Sequence, residues 1–437
     1  MTPAPSRIGL ATRLKWQAFR LLEALSDLRG NAAAGHLEVR RPERPLPALW
    51  VFVSTIGELN AIDPLLKALV ARRPDLKLVL ISDHPHYRDS YGARYPAAEI
   101  CITRGHGDDA AELAALYPPR ALVVGEIPCW PGDAPCRFSF AFLLEAKRRG
   151  AFTAIVNGWL YFYPSSCRMD AIERRLFQRD TLGAFDVIAA QTEAIRDALV
   201  AAGAPAERVT VTGNIKFDAL PSPQWSPAQA RSPAMLGSLL AAGRPIVVAG
   251  CVTELPEQQL VLDAFAAVRA AHPEALIVLA PRHPEVKERM EALAQLLREM
   301  RLPSLFRSAV PDVAVGPETA CLVLDTIGEL RDFFAAATVA YMGTDHNVLE
   351  PLGFEKPVTV KPGWDPTYPS YPVYRMLLDA NCLQEAANVE ELSACWLEWL
   401  DNPDSYRDRK HLIHETLAAA KGAVARHMAL IEPWLGR

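Results

Sequence analysis

No apolar run in this 437-residue chain approaches the ~18 residues needed to cross a bilayer, which excludes an ordinary membrane-spanning helix. The first residues lack a short apolar core followed by a small-residue cleavage site, so no secretory leader is expected. Basic residues are not in excess: 46 Lys and Arg stand against 51 Asp and Glu, the net charge is −5 and the pI is near 6.1. A nucleic-acid partner, which calls for a basic stripe or surplus, is therefore not expected. The eight cysteines (Cys101, Cys129, Cys136, Cys167, Cys251, Cys321, Cys382 and Cys395) form no C-x-x-C pair and fall mostly in apolar runs. Scattered thiols of this kind read as buried and reduced rather than as disulfides or zinc ligands, and the expected location is cytoplasmic.

What the chain does contain is a long alternation of short β-branched runs with helical stretches. Strands are predicted at 49–53, 76–81, 121–124, 153–156, 187–190 and 209–211, and again at 246–249, 276–280, around Val323, at 339–342 and at 358–360. The length exceeds what one core ordinarily supports. The predicted class is α/β, with two Rossmann-like, doubly wound parallel-sheet domains facing a cleft. The expected boundaries are a lead-in at 1–48, a first domain at 49–219, a linker at 220–243, rich in proline at its start, and a second domain at 244–437 closed by a helix over about 404–431, which in such folds can also cross back to the first domain. Within the lead-in, Leu14, Ala18, Leu21, Leu25 and Leu28 recur at helical spacing among Arg7, Arg13, Lys15, Arg20 and Arg29. That helix either packs on its own domain or lies on an anionic membrane surface, with Trp16 and Phe19 entering the interface.

Open α/β sheets bind ligands at the carboxyl ends of their strands, and the polar residues there are distinctive. Arg282 and His283 follow the run ending at Ala280, and Asn347 and Glu350 flank a helix start after the strand ending at Met342. A helix start suits an anion, and a guanidinium supplies a fixed positive charge, so these residues read as a nucleotide-sugar site. No D-x-D triplet is present to hold a metal, and a metal-independent mechanism without cofactors is expected. Gly57 and Glu58 follow the first strand, where the glycine permits a tight turn and the carboxylate suits a general base for a sugar acceptor. The alternative for Glu58 is a favourable charge in the first turn of a helix.

Several segments, WVFVSTIGE, QTEAIRDALVAAGAPAERVTVTGNIKFD, LIVLAPRHPE, DTIGEL and HNVLEPLGFEKPV, resemble in order and spacing the 3-deoxy-D-manno-octulosonic acid (Kdo) transferases of lipopolysaccharide assembly, from about Leu49 to the C-terminus. The resemblance implies a GT-B fold, a CMP-activated sugar as donor, a lipid A precursor or other glycan as acceptor, and work at the cytoplasmic face of the inner membrane. It places the catalytic base at Glu58. It places the donor nucleotide near Arg282, His283, Thr326, Gly328, Glu329, His346, Asn347 and Glu350, with Glu350 suited to the ribose diol. For Glu329 a capping role at a helix start stands beside this reading. Acceptor or sugar contacts are expected from Glu126, Trp159, Asn214 and Lys216, with a hinge-stabilising charge as the alternative for Lys216.

The chain also departs from the family pattern. It passes from Gly343 through Thr344 and Asp345 to His346 where the family has a longer glycine-containing loop, which sets a carboxylate near the expected phosphate. A two-glutamate segment appears as GEIPCWP, keeping Glu126, Trp130 and Pro131 with Pro128 at the second glutamate. An Asn-Ala-Arg-Leu-Ser stretch appears as NGWLY, with Trp159 at the arginine, and a tryptophan there offers a stacking face for a sugar. A metal site from Asp83, His84 and His86, or from His106, Asp108 and Asp109, is conceivable by residue type, but nothing fixes its geometry and none is expected. The activity anticipated is inverting transfer from CMP-Kdo or a related CMP-sugar. A nucleotide-sugar epimerase and a non-catalytic glycolipid- or partner-binding relative are the alternatives.

Overall fold

Strands buried along their whole length need helices on both faces, and the apolar runs meet that condition. In the computed structural model, residues 6–26, 37–103, 107–126, 138–159, 168–221, 224–366, 368 and 370–435 are described. Leu28, Arg29, His106, Pro128, Cys129, Trp130, Pro131, Cys136 and Cys167, singled out above, lie outside the described residues. The chain forms two compact units, Met1–Ala219 with Ala420–Arg437, and Leu220–Ala419.

Unit 1 holds β1 (Ala48–Phe52), β2 (Lys77–Ser82), β3 (Glu99–Ile102), β4 (Pro119–Gly125), β5 (Phe152–Gly158), β6 (Val187–Ala190) and β7 (Val209–Val211). Their spatial order is β3-β2-β1-β4-β5-β6-β7, all parallel. Alternate residues of β1 feed two cores: Trp50 and Phe52 join one, and Leu49 and Val51 the other. Unit 2 holds β8 (Ile246–Val252), β9 (Leu276–Pro281), β10 (Ser304–Phe306), β11 (Cys321–Val323), β12 (Val339–Met342), β13 (Val358–Val360) and β14 (Leu383–Glu385), ordered β10-β11-β9-β8-β12-β13-β14 and again parallel. The three strands not anticipated, β3, β10 and β14, are short outermost strands.

Both anticipated boundaries around the second domain move. The helical stretch expected to run unbroken over 404–431 is two helices, Pro403–Ala420 and Ala423–Leu435, separated at Gly422, whose φ is 88°. The second of them belongs to unit 1 because its apolar face, with Ile431 and Trp434, completes that unit's core, Trp434 stacking on Phe152 at 5.1 Å. Asp218 fixes its start by accepting from the N–H groups of Gly422 and Val424. The segment expected to be a linker ends in a helix, Pro233–Ala242, that buries Met235, Leu236 and Leu239 and is part of unit 2.

The lead-in forms a helix, Leu10–Ser26, on unit 1. Trp16 and Phe19 follow the first of the two alternatives weighed for this helix, packing on its own domain: they are buried among Phe140 and Phe177. Among the described residues no helix is long and apolar enough to cross a membrane.

Candidate active site

In each sheet the strand order reverses direction at one place, leaving a crevice at the carboxyl ends of two neighbouring strands. In unit 1 that place lies between β1 and β4, and the residues following these strands include Glu58 and Glu126. Glu58 sits in the first turn of the helix Ile56–Arg72, whose N-cap is Thr55. Thr55 Oγ1 accepts from the Glu58 N–H at 3.3 Å and donates to Oε1 at 3.1 Å, while the Ser54 N–H donates to Oε2 at 2.6 Å. This reciprocal cap is the helix-start role weighed for Glu58, and it also aims the carboxylate back over the end of β1. Burial, then the negative charges of Glu126 and Asp83, push its pKa up to about 8 against the pull of the Ser54 and Thr55 hydrogen bonds. A carboxyl poised in that range suits proton abstraction near neutral pH. Gly57 is not required for a tight turn: its φ is not positive and a Cβ there meets nothing closer than Thr55 Oγ1 at 3.6 Å.

Around Glu126 the structure gathers residues that sequence reasoning did not single out. Glu126 and Asn157 both have positive φ, 60° and 53°, at the ends of β4 and β5. Asn157 Nδ2 donates to Glu126 Oε1 at 2.9 Å, Asn157 Oδ1 accepts from the Ile215 N–H at 2.8 Å, and Gln191 Nε2 donates to the Asn157 carbonyl at 2.9 Å. Lys216 Nζ lies 2.9 Å from Glu126 Oε1. Asn214 caps a short turn by accepting from the Lys216 N–H and donates to Gln191 Oε1. Lys216 and Asn214, read as sugar contacts, are thus engaged within the unit. Trp159, expected to present a stacking face, is buried in a core cluster with 6% of its surface exposed, because its backbone N–H is tied to the Glu126 carbonyl directly after β5.

His427, on the returning C-terminal helix, closes this network. Its Nε2 accepts from the Asn157 N–H at 3.0 Å and the Thr212 hydroxyl at 3.1 Å, while Nδ1 donates to the Ala423 carbonyl at 2.7 Å. Burial depresses its pKa to about 4, so the neutral ring is the native form. A depressed histidine contributes stability that is present above its ordinary 6.5 and lost as pH falls toward 4, a window worth roughly 3 kcal/mol. His427→Gln is expected to remove that contribution, so urea-unfolding curves of the two proteins should diverge at pH 7 and converge toward pH 4.5. Equal separation at every pH would refute the assignment. Recognising this residue requires the fold, since 270 positions separate it from Asn157.

In unit 2 the reversal lies between β8 and β12. Arg282, after β9, donates from Nη1 to His346 Nε2 at 3.3 Å, and Thr253 Oγ1 lies 3.4 Å from the same nitrogen. An arginine can only donate, so His346 accepts at Nε2 and is neutral, in accord with a pKa lowered to about 4 by burial and by Arg282. The charges of Glu350 and Arg282 both reach Cys251, whose thiol is pushed up to about 11 mainly by burial. The Glu350 carboxyl is itself raised by burial. Arg282, His346, Glu350, Cys251 and Thr253 therefore form one group at the strand ends. His283 is exposed, with φ 58°, and its Nδ1 lies 2.9 Å from Glu285 Oε1.

The helix start at Asn347 is less than expected. Asn347 Oδ1 accepts from the Leu349 N–H at 3.1 Å, but the helix is Leu349–Gly353, about one turn, and its dipole is correspondingly small. Asp345 is turned to structural use: Oδ1 accepts from the Asp365 N–H at 2.8 Å and its carbonyl from the Ser370 hydroxyl at 2.9 Å. In the loop that follows, Trp364 stacks on Tyr374 at 4.4 Å. Thr326, Gly328 and Glu329 make a separate cluster. Glu329 accepts from the Thr326 and Ser232 hydroxyls and from Arg307 at 3.1 Å, and these bonds lower its pKa despite burial. Gly328 has φ 95°, in the left-handed region that favours glycine, beside the flexible Arg231 guanidinium.

Among the described residues no group of three or more His, Cys, Asp or Glu is arranged to hold a metal ion. Asp83 and His84 instead bond one another at 2.9 Å and both meet Ser54 Oγ, and Asp83 holds the His84 pKa above its ordinary value.

Residues 29–219 match the family model described as 3-deoxy-D-manno-octulosonic-acid transferase (kdotransferase). A 3-deoxy-D-manno-octulosonic acid transferase from Bordetella pertussis is 28% identical over 440 residues, covering 96% of this chain and 95% of that one. Its counterpart from Haemophilus influenzae is 24% identical over 415 residues, covering 90% and 88%. Among solved structures, a UDP-GlcNAc 2-epimerase from Neisseria meningitidis has the same fold, with a TM-score of 0.57, 15% identity and coverage of 90% of this chain and 100% of that one. The shared architecture is that of GT-B glycosyltransferases and epimerases.

Proposed function

We propose that this chain, a divergent member of the Kdo transferase family and hence a glycosyltransferase of lipopolysaccharide synthesis, transfers Kdo or a closely related sugar from its CMP-activated form to a lipid A-type acceptor, with inversion and without a metal. Its place is the cytoplasmic face of the inner membrane. The observation that carries the reading is Glu58, a buried carboxylate at the switch point of unit 1 with its pKa pushed up to about 8. Glu58 takes the proton of the acceptor hydroxyl as that oxygen bonds to the anomeric carbon. The bond from that carbon to the phosphate oxygen breaks, and CMP departs as the anion. In unit 2 the exposed Arg282 holds the leaving phosphate through charge-assisted hydrogen bonds, His346 orients the guanidinium by accepting from it, and Glu350 receives the ribose hydroxyls.

Calorimetry with CMP, CMP-Kdo, UDP and UDP-sugars, on the wild type and on Arg282→Ala, tests the donor assignment. Selective cytidine binding is expected, weakened about tenfold or more in the variant, the range for losing a charge-assisted hydrogen bond. Preference for uridine, with product formed from a UDP-sugar alone, would replace this reading with a sugar epimerase. Absence of nucleotide binding would point to a glycolipid-binding protein without turnover.

A further inference from the structure

Asp83 and His84 follow β2 at the carboxyl end of the unit 1 sheet, next to the end of β1 that leads into Glu58. Their hydrogen bonds fix which imidazole nitrogen carries a proton. Ser54 Oγ lies 2.6 Å from Asp83 Oδ1, and a carboxylate oxygen can only accept, so the single hydroxyl proton is directed there. His84 Nδ1, 2.9 Å from the same Asp83 oxygen and 3.2 Å from Ser54 Oγ, is then the donor in both contacts. Nε2 is left as the working nitrogen, and among the described residues no polar atom of the protein meets it. The loop does not need the ring to hold its shape. The His84 N–H donates to Ser82 Oγ at 3.1 Å, Ser82 Oγ donates to the Ser54 carbonyl at 3.0 Å, and the Tyr87 N–H donates to the His84 carbonyl at 3.2 Å.

An imidazole tied to a carboxylate at Nδ1 and open at Nε2 offers an anion a charged donor when it is protonated. The Asp83 hydrogen bond favours that form, holding the His84 pKa above its ordinary 6.5 against the effect of burial. The other groups around the ring are His86 and Tyr87, with ring centroids 5.3 and 5.9 Å away, and Glu58 on the far side of Ser54. Glu126 and Asp83 both act on Glu58 through their negative charge, so this end of the sheet is acidic. Its other cations are engaged, Lys216 with Glu126 at 2.9 Å and Arg88 with Glu38 at 2.9 Å. An ulosonic acid carries its carboxylate on the anomeric carbon itself. The oxygen that Glu58 deprotonates attacks that same carbon, so the sugar carboxylate has to lie beside Glu58 at the moment of transfer. Unpaired, it would face the Glu58, Asp83 and Glu126 carboxyl groups in a crevice with little water to screen them.

We propose that the His84 imidazolium, oriented by Asp83 and Ser54, donates from Nε2 to the carboxylate of the donor sugar and so selects an ulosonic acid over a neutral sugar. The inference rests on the proposed function for the base at Glu58 and for the class of donor. Pairing the carboxylate also protects the base, because a further negative charge beside Glu58 would hold its proton more tightly. A phosphate dianion calls for several donors or a guanidinium fork, whereas a single N–H among carboxyl groups suits the smaller charge of a carboxylate.

Calorimetry of the full chain with CMP and with CMP-Kdo, on the wild type and on His84→Gln, tests the inference, since the two ligands differ by the sugar and its carboxylate. In the variant CMP affinity should stay within about twofold while CMP-Kdo affinity falls about tenfold or more, the range for losing a charge-assisted hydrogen bond. Nitrogen spectra of the wild-type histidines give a measurement that needs no variant: the His84 Nε2 resonance should move with CMP-Kdo and stay in place with CMP. CMP-Kdo binding unchanged by the substitution overturns the proposal, and so does an equal loss for both ligands, which would make His84 a structural residue. A rise confined to the KM of the acceptor would give the site to an acceptor phosphate and overturn it as well. The two readings fail separately. CMP-Kdo binding that depends on His84 without any transfer sinks the enzymatic reading alone, and transfer with undiminished CMP-Kdo binding in the variant sinks the carboxylate site alone. A wild type that binds neither ligand removes both.

Discussion

Glu58→Gln is expected to lower kcat by about 10²–10⁴-fold, the contribution of a positioned general base, while CMP affinity stays within about twofold of wild type. Glutamine keeps the shape and can still accept from the Ser54 N–H and Thr55 hydroxyl that cap the helix start, so the loss would measure proton abstraction rather than misfolding. The wild-type pH profile supplies an independent check. Since burial and Glu126 hold the Glu58 pKa near 8, kcat/KM should rise with pH along an acid limb centred there, and Glu126→Gln should move that limb downward by removing a negative neighbour. The same shift makes a stability statement of opposite sign to that of His427. A carboxyl raised from 4.5 favours the folded state fully below pH 4.5, and this contribution is lost as pH rises through 8. A glutamine variant with normal turnover, or an acid limb near pH 4.5, would remove Glu58 from the mechanism.

Gly343→Ala is expected to destabilise unit 2 by about 3 kcal/mol or more, at or beyond the upper end for overpacking. An added Cβ would stand 2.2 Å from the carbonyl oxygen of Cys251 and 2.8 Å from its carbonyl carbon. Both are backbone atoms of β8, and Gly343 itself donates to the Gly250 carbonyl at 2.9 Å. No side chain can turn aside to relieve the contact, so β8 and β12 would have to part at the switch point. Displacing this turn also moves His346 from Arg282, so nucleotide binding should fall together with the urea midpoint. Gly57→Ala is the control, because a Cβ there makes only an ordinary contact, 3.6 Å from Thr55 Oγ1. Should Gly343→Ala unfold with the wild type, the close approach of the two strands would be disproved.

The stretch from Gly343 to His346 also shows where motif reasoning stops. Sequence spacing marks the loop as short and sets Asp345 near the expected phosphate. In the folded chain Asp345 instead organises the following loop through Asp365 and Ser370. The Glu329 cluster is a similar case: its residues are recognisable in DTIGEL, yet the partners Ser232 and Arg307 come from distant segments. By type Trp159 suits a sugar platform, since tryptophan replaces a cleft arginine, but a large ring directly after a buried strand is equally suited to the core, and there it lies. Residue type alone carries no information about which of these outcomes burial favours.

By itself the sequence determined the α/β class, the two sheets and the strand ends where chemistry collects. Apolar runs of strand length alternating with helical stretches admit few other arrangements, and carboxyl ends of parallel strands follow from chain direction. It also placed Glu58, Arg282, His346 and Glu350 at those ends. Only the tertiary structure decided what period and spacing leave open. It turned Trp16 and Phe19 inward and Leu14 and Leu21 outward, brought His427 across to Asn157, and assigned the C-terminal helix to unit 1. Helical periodicity says which residues share a face, but which of two apolar faces meets the core depends on the volume and shape waiting for it, and these exist only once the rest of the chain has folded.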